Sequence, residues 1–247
     1  MKTSCLSATL RGIGIAIGLL VSVCAVPPAD AAFVFDLADA IGGGDGSLPG
    51  TGGTGSLGAA AGTYTTFPSN AYVDGTFVPN SSAGAIAITG GSETYDFDAQ
   101  TSAGYYNPWI NGNNLDTDPC SPIYADFRDD SNSHSLIAAH ANKGITFDLA
   151  AIRSATSSAP NLFTVYAGDS RPKADGSISY WVFVDGVLAA NRNSVSNSED
   201  ALFIELASTA RYLTLAISDS NNGIGSDHGY FGDAFLRTAA TWTGGGT

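Results

Sequence analysis

Sulfur and positive charge are both scarce in this chain. Its 247 residues hold three cysteines, one methionine and 10 lysines or arginines, against 23 aspartates and glutamates. Two of the cysteines, Cys5 and Cys24, fall in an N-terminal segment with the marks of a cleaved signal. Cys120 is then alone, which rules out an intramolecular disulfide and leaves stability to core packing or a metal. The shortage of basic residues gives a net charge of −13. Such a surface repels phosphate backbones and anionic lipid, which argues against nucleic acid and membrane as partners. It suits neutral glycans, divalent cations or cationic polymers.

Several catalytic constellations are missing as well. The three glutamates, Glu93, Glu199 and Glu205, give few candidates for a glycosidase acid pair, and nothing singles out one of the many aspartates. No Gly-x-Ser-x-Gly elbow is present, and only His134, His140 and His228 are available to activate a nucleophile. The spacing of His134 and His140, with no thiol pair beside them, is not a zinc-ligand pattern. The segments Gly50 to Gly55 and Gly53 to Gly58 satisfy the dinucleotide-binding expression, but no helix follows to receive a pyrophosphate.

What is present starts with an export signal. Lys2 and Arg11 flank a start without acids, residues 12–26 are apolar or small, and Pro27-Pro28 ends the run. Ala29-Asp-Ala-Ala32 offers a small-x-small cleavage site, so residues 1–32 read as a signal peptide cleaved after Ala31 or Ala32. The run falls short of the roughly 20 apolar residues of a membrane span, and none follows later. Cleavage takes two of the 10 basic and one of the 23 acidic side chains, leaving 8 and 22, a net charge near −14. The remainder is long enough for one sandwich domain with a full core.

Short runs rich in Val, Ile, Phe, Tyr and Thr, punctuated by Gly, Ser, Asn and Asp, predict an all-β sandwich. Strands are expected at Phe33 to Leu37, Tyr72 to Val78, Ala85 to Thr89, Ile145 to Leu149 and Leu162 to Ala167. The clearest hairpin runs from Ile178 to Ala189 around Asp185-Gly186. Its first strand is apolar on both faces, with Tyr180 and Val182 on one and Trp181 and Phe183 on the other, so both faces should be covered. Leu202 to Leu206 and Tyr212 to Ile217 alternate as half-buried strands. One short helical turn, Ala150 to Ala155, follows a cap at Asp148. The glycine-rich stretch 42–63 should be a loop, and residues 239–247, ending in Thr243-Gly-Gly-Gly-Thr247, form a tail or the start of a linker. A fused catalytic or anchoring domain beyond that tail is an expectation of this reading.

Two segments carry candidate site chemistry. Between Asp219 and Asp233, the residues Asp219, Asn222, Asp227 and Asp233 supply the oxygen density that calcium requires, although the spacing is not that of an EF-hand. The alternative is a loop whose Asp and Asn side chains cap their own turns. Between Gly104 and Asn114, Tyr105, Tyr106 and Trp109 offer aromatic faces for a sugar ring, with Asn111 able to bond its hydroxyls. Trp109 and Ile110 packing into the core is the competing reading. His140, His228 and Tyr230 complete the candidate ligand-binding set.

Three stretches together resemble NPCBM modules, a family named for carbohydrate binding. They are His134 to Arg153, the hairpin Tyr180-Trp-Val-Phe-Val-Asp-Gly-Val-Leu188, and Asn222-Gly-Ile-Gly-Ser-Asp-His-Gly-Tyr-Phe-Gly-Asp-Ala-Phe-Leu236. Ala71-Tyr-Val-Asp-Gly-Thr-Phe-Val-Pro79 is similar to a segment in surface proteins of planctomycete-like bacteria. The resemblance is secure over about 133–236 within a domain of 33–238. It implies a galactose-binding-like jelly roll, often appended to glycoside hydrolases or surface proteins and often holding a structural calcium. The expected function is a non-catalytic, secreted or cell-surface carbohydrate-binding module that recognises a glycan through loop aromatics and amides. The alternative is a structural or adhesive cell-surface protein without sugar specificity.

Overall fold

A computed structural model describes residues 31–47, 56–57, 64–99, 109–111, 134–169 and 176–239. In chain order its strands are β1 (Ala32–Asp36), β2 (Ser56–Leu57), β3 (Thr65–Thr66), β4 (Val73–Phe77), β5 (Ile86–Ala87), β6 (Thr94–Tyr95), β7 (Trp109–Asn111) and β8 (Leu136–His140). They continue with β9 (Lys143–Asp148), β10 (Leu162–Asp169), β11 (Ile178–Val184), β12 (Val187–Val195), β13 (Glu199–Glu205), β14 (Tyr212–Ser218) and β15 (His228–Thr238). Helix α1 spans Leu37–Ile41 and α2 spans Leu149–Thr156. The sandwich expected from composition is what forms.

The first sheet runs β13-β10-β15-β8-β7-β2, with β1 also on β15, and the second runs β12-β11-β14-β9-β4-β3. All the pairs are antiparallel. Between the sheets Phe163, Val165 and Phe231 meet Ile145, Phe147, Val182, Leu213 and Leu215 in one core. Each fully buried side chain of this size contributes about 1.5–3 kcal/mol relative to exposure. The hairpin of β11 and β12 turns at Asp185 and Gly186, both with positive φ (50° and 74°), as a two-residue turn matching strand twist requires.

Strand β11 is covered on both faces, as its pattern predicts. Tyr180 and Val182 enter the inter-sheet core, while Trp181 and Phe183 enter a second cluster with Phe77, Ile86, Ile88, Phe97 and Ala216. The chain after β4 folds over the outer face of the second sheet and completes that cluster with Ile86, Ile88 and Phe97. Asp98 fastens the cover by accepting from Ser218 Oγ at 2.5 Å and Ser179 Oγ at 2.8 Å.

One local outcome differs from the sequence pattern. Leu37 starts a helix instead of ending a strand, because the buried Asp36 side chain accepts from Ala38 N at 2.8 Å and caps α1. Five residues are too few to show helical periodicity. The predicted turn after Asp148 is confirmed as α2, with Asp148 Oδ1 accepting from Ala150 N and Ala151 N.

Candidate ligand-binding site

At one end of the sandwich, β8 leaves the first sheet at His140 and the chain enters the second sheet at Lys143 through Ala141 and Asn142. Strand β15 starts beside it, with His228 in register with His140. The loop 219–227, which links β14 to β15, closes over the same end. Polar residues from separate parts of the chain therefore meet here without being neighbours in sequence.

The two imidazoles are buried and meet edge to face, with centroids 4.4 Å apart. His140 Nδ1 lies 3.0 Å from the Ala141 carbonyl, which can only accept, so Nδ1 carries the proton in that bond. Burial lowers the His140 pKa; the Ala141 bond opposes this, and the charge of Lys143 adds to the lowering. Lys143 is only 4% exposed, and burial brings its pKa down to about 8. Asn142 and Asp219 form a two-point pair. Asn142 Nδ2 donates to Asp219 Oδ2 at 3.0 Å, and Asp219 N donates to Asn142 Oδ1 at 2.8 Å.

The loop is stitched from within. Asn221 N donates to Asp219 Oδ1 at 3.1 Å, Ser177 N donates to Asp227 Oδ1 at 2.9 Å, and Ala141 N donates to Asp227 O at 2.9 Å. The Asn222 amide shares a hydrogen bond of 2.8 Å with the Ser177 hydroxyl. Asn221, Ser220 and Ser226 hold positive φ, as residues in successive tight turns do.

The predicted calcium set does not assemble as one site. Asp219, Asn222 and Asp227 share the sandwich end, but Asp233 lies five residues into β15, about 17 Å along the strand at its usual rise. There the Asp233 carboxylate accepts from Ser135 N at 3.0 Å and pairs with His134 Nδ1 at 2.7 Å. With Asp219 held by Asn142 and Asn221, the four residues do not fit a common cation. Among the described residues no group of three or more His, Cys, Asp or Glu is placed to hold a metal. The turn-capping reading describes this loop better.

The other predicted ligand residues divide. Tyr230 is buried two pairs further along β15, and its hydroxyl donates to Glu199 Oε2 at 2.6 Å. Tyr105 and Tyr106 lie outside the described residues. The backbone of Trp109 and Asn111 forms β7, whose Ile110 and Asn111 pair with Ala138 and Ile137 of β8, the strand that ends at His140. Lys143, Asn142 and Ser177 are functional candidates that motif reasoning missed. The available cue was a lysine opening an otherwise apolar strand run, Lys143-Gly-Ile-Thr-Phe.

The profile of the NPCBM/NEW2 domain matches residues 123–237, a span that contains β8 to β14 and all but the last residue of β15. Residues 123–237, just under half of the chain, are similar to that domain. No curated protein matches the chain. Solved structures similar to it include the CBM51-2 and INT domains of Clostridium perfringens ZmpB, at 23% identity and a TM-score of 0.36. That match covers 43% of this chain and 22% of the ZmpB chain, so this chain spans about a fifth of its length. The CBM51 of Clostridium perfringens GH95 in complex with methyl-galactose is similar at 16% identity and a TM-score of 0.36, over 74% of this chain and 92% of that one. Tandem CBM51 modules of a family 98 glycoside hydrolase from Streptococcus pneumoniae match at 15% identity and a TM-score of 0.36, over 43% and 33% of the two chains. The matched span begins well after Ile86, Ile88 and Phe97, yet these residues complete its outer sheet face.

Proposed function

We propose that this protein is a non-catalytic, extracellular carbohydrate-binding module. The observation that carries the reading is the NPCBM/NEW2 match over a sandwich whose polar end gathers His140, Asn142, Lys143 and His228 from separate strands and turns. The glycan would dock at that end. The outer face of the second sheet is a poor platform, because Phe97 and its neighbours already cover Trp181 and Phe183. Residues 1–32 support export, with basic flanks, an apolar run and a small-residue cleavage site.

Recognition of this kind combines ring contact with hydrogen bonds from fixed side chains. Imidazoles and a buried amide, each held by a neighbour, lose little freedom when a ligand arrives. The direct test is retention of the secreted chain on a panel of immobilised glycans, compared with His228→Ala. Retention weakened at least tenfold by the substitution supports the reading. Equal retention of both proteins would move the site elsewhere, and retention on none would favour an adhesive role through protein contacts.

A further inference from the structure

Among the described basic residues, Lys143 stands apart. Arg192 Nη1 donates to both oxygens of Asp200 at 2.9 Å. Arg153 donates to the carbonyls of Ala207 and Ala210, and Arg237 to Thr164 Oγ1 and the Ala31 carbonyl. Arg211 reaches Asp148 at 3.9 Å. Lys143 has neither a hydrogen bond nor an ion pair among the described residues, although it is the most buried of these side chains. Its register partner on β14 is Ile217, a residue of the apolar core.

An ammonium withdrawn from water without an acceptor is strongly unfavourable. The carboxylates of this end are engaged by amides: Asp219 by Asn142 and Asn221 N, and Asp227 by Ser177 N. Lys143 opens β9 at the sandwich end, directly after the 141–142 crossover, and keeps 4% of its surface exposed there. A group arriving at the sandwich end can therefore meet it. A sugar hydroxyl would offer only a neutral acceptor. A carboxylate would supply both the acceptor and the missing countercharge, in a charge-assisted bond of roughly twice the neutral strength.

Building on the carbohydrate-binding reading, we propose that Lys143 anchors the carboxylate of a uronic-acid residue, so that the module is selective for glycans bearing an acidic sugar. The acidic surface of the chain opposes a long polyanion at distance, which favours a single acidic residue at a chain end over a continuous acidic polymer. Salt screens that long-range repulsion more than it screens a buried contact. Affinity for a short acidic oligosaccharide should consequently hold steady or rise as salt is raised to physiological strength.

Galactose and galacturonate differ at C6 alone, so their short oligomers make a matched pair of probes. Titration calorimetry with the full chain should show galacturonate oligomers binding at least tenfold tighter than galactose oligomers. Lys143→Met should remove that preference, and Lys143→Arg should retain part of it. Should Lys143→Met fail to fold, galacturonate must still shift the His140 ring resonances of the wild-type protein, because that ring neighbours the amine. Equal affinity for the two probes, a preference that survives Lys143→Met, or unmoved His140 resonances would overturn the assignment while leaving neutral-glycan binding intact. Stronger binding of sulfated galactose than of galacturonate would contradict the carboxylate. Binding of neither probe nor any other glycan would remove the carbohydrate reading as well.

Discussion

Lys143 and Asp233 are opposite solutions to placing a charge inside a β-sandwich. Asp233 sits on a bulge in β15, where the register with β10 shifts between Thr164 and Tyr166, and its φ of 48° is one that aspartate tolerates better than most residues. Its carboxylate is used twice, by Ser135 N and His134. Asp233→Ala should therefore cost about 1–3 kcal/mol in denaturant unfolding, the usual cost of leaving such donors unmade. A change below a few tenths would show that the bulge holds without its carboxylate. Lys143 has no such partner, and its pKa falls from 10.5 to about 8. Below pH 8 the amine is charged in both folded and unfolded chains, and the cost of burying it is fully present. Between about pH 8 and 10.5 the folded protein releases the proton while the unfolded chain keeps it, so stability rises with pH across that window. The difference in unfolding free energy between wild type and Lys143→Met should follow this rise; a difference independent of pH would mean that the amine is solvated. Neither residue's role was legible from sequence, because a bulge and a missing partner are tertiary facts. Asp233 looked like a cation ligand from the density of Asp and Asn between Asp219 and Asp233.

Among the elements, the long alternating strands were the legible part. Apolar positions two apart in Tyr212 to Ile217 and on both faces of Ile178 to Val184 leave little freedom of assignment. Two-residue strands such as β2, β3 and β6 carry no period, and α1 depends on a cap at Asp36 that also reads as a strand end. The stretch after β4 was visible only as a strand candidate at Ala85 to Thr89, with nothing to say that it covers the second sheet. Its Phe97 packs within 4.9–5.9 Å, centroid to centroid, of Tyr95, Trp181, Phe77 and Phe183. Phe97→Ala should cost about 3–5 kcal/mol by cavity formation, measured by urea unfolding. Asp98→Ala should loosen the same cover, leaving the Ser179 and Ser218 hydroxyls without their carboxylate, and Trp181 fluorescence should report it. An unchanged midpoint for Phe97→Ala would show that the cover is dispensable.

At the scale of the whole molecule, β8, β9, β14 and β15 bring the 141–142 crossover and the 219–227 loop to one end, and the candidate site exists only because of that topology. His140, His228 and Asp227 were recognisable as chemistry, but their meeting required the register of β8 with β15. Of the aromatic segment only Trp109 is described; it opens β7, which pairs with β8, the strand that ends at His140. The central claim is that this end binds glycan. Its most direct test is a pair of dissociation constants, for the full chain and for His228→Ala, measured on the best-retained glycan of a broad array. The account predicts specific retention by wild type and an affinity at least tenfold weaker for the variant, with both proteins unfolding at similar denaturant concentration. Identical affinities, or retention of no glycan by a correctly folded chain, would contradict it.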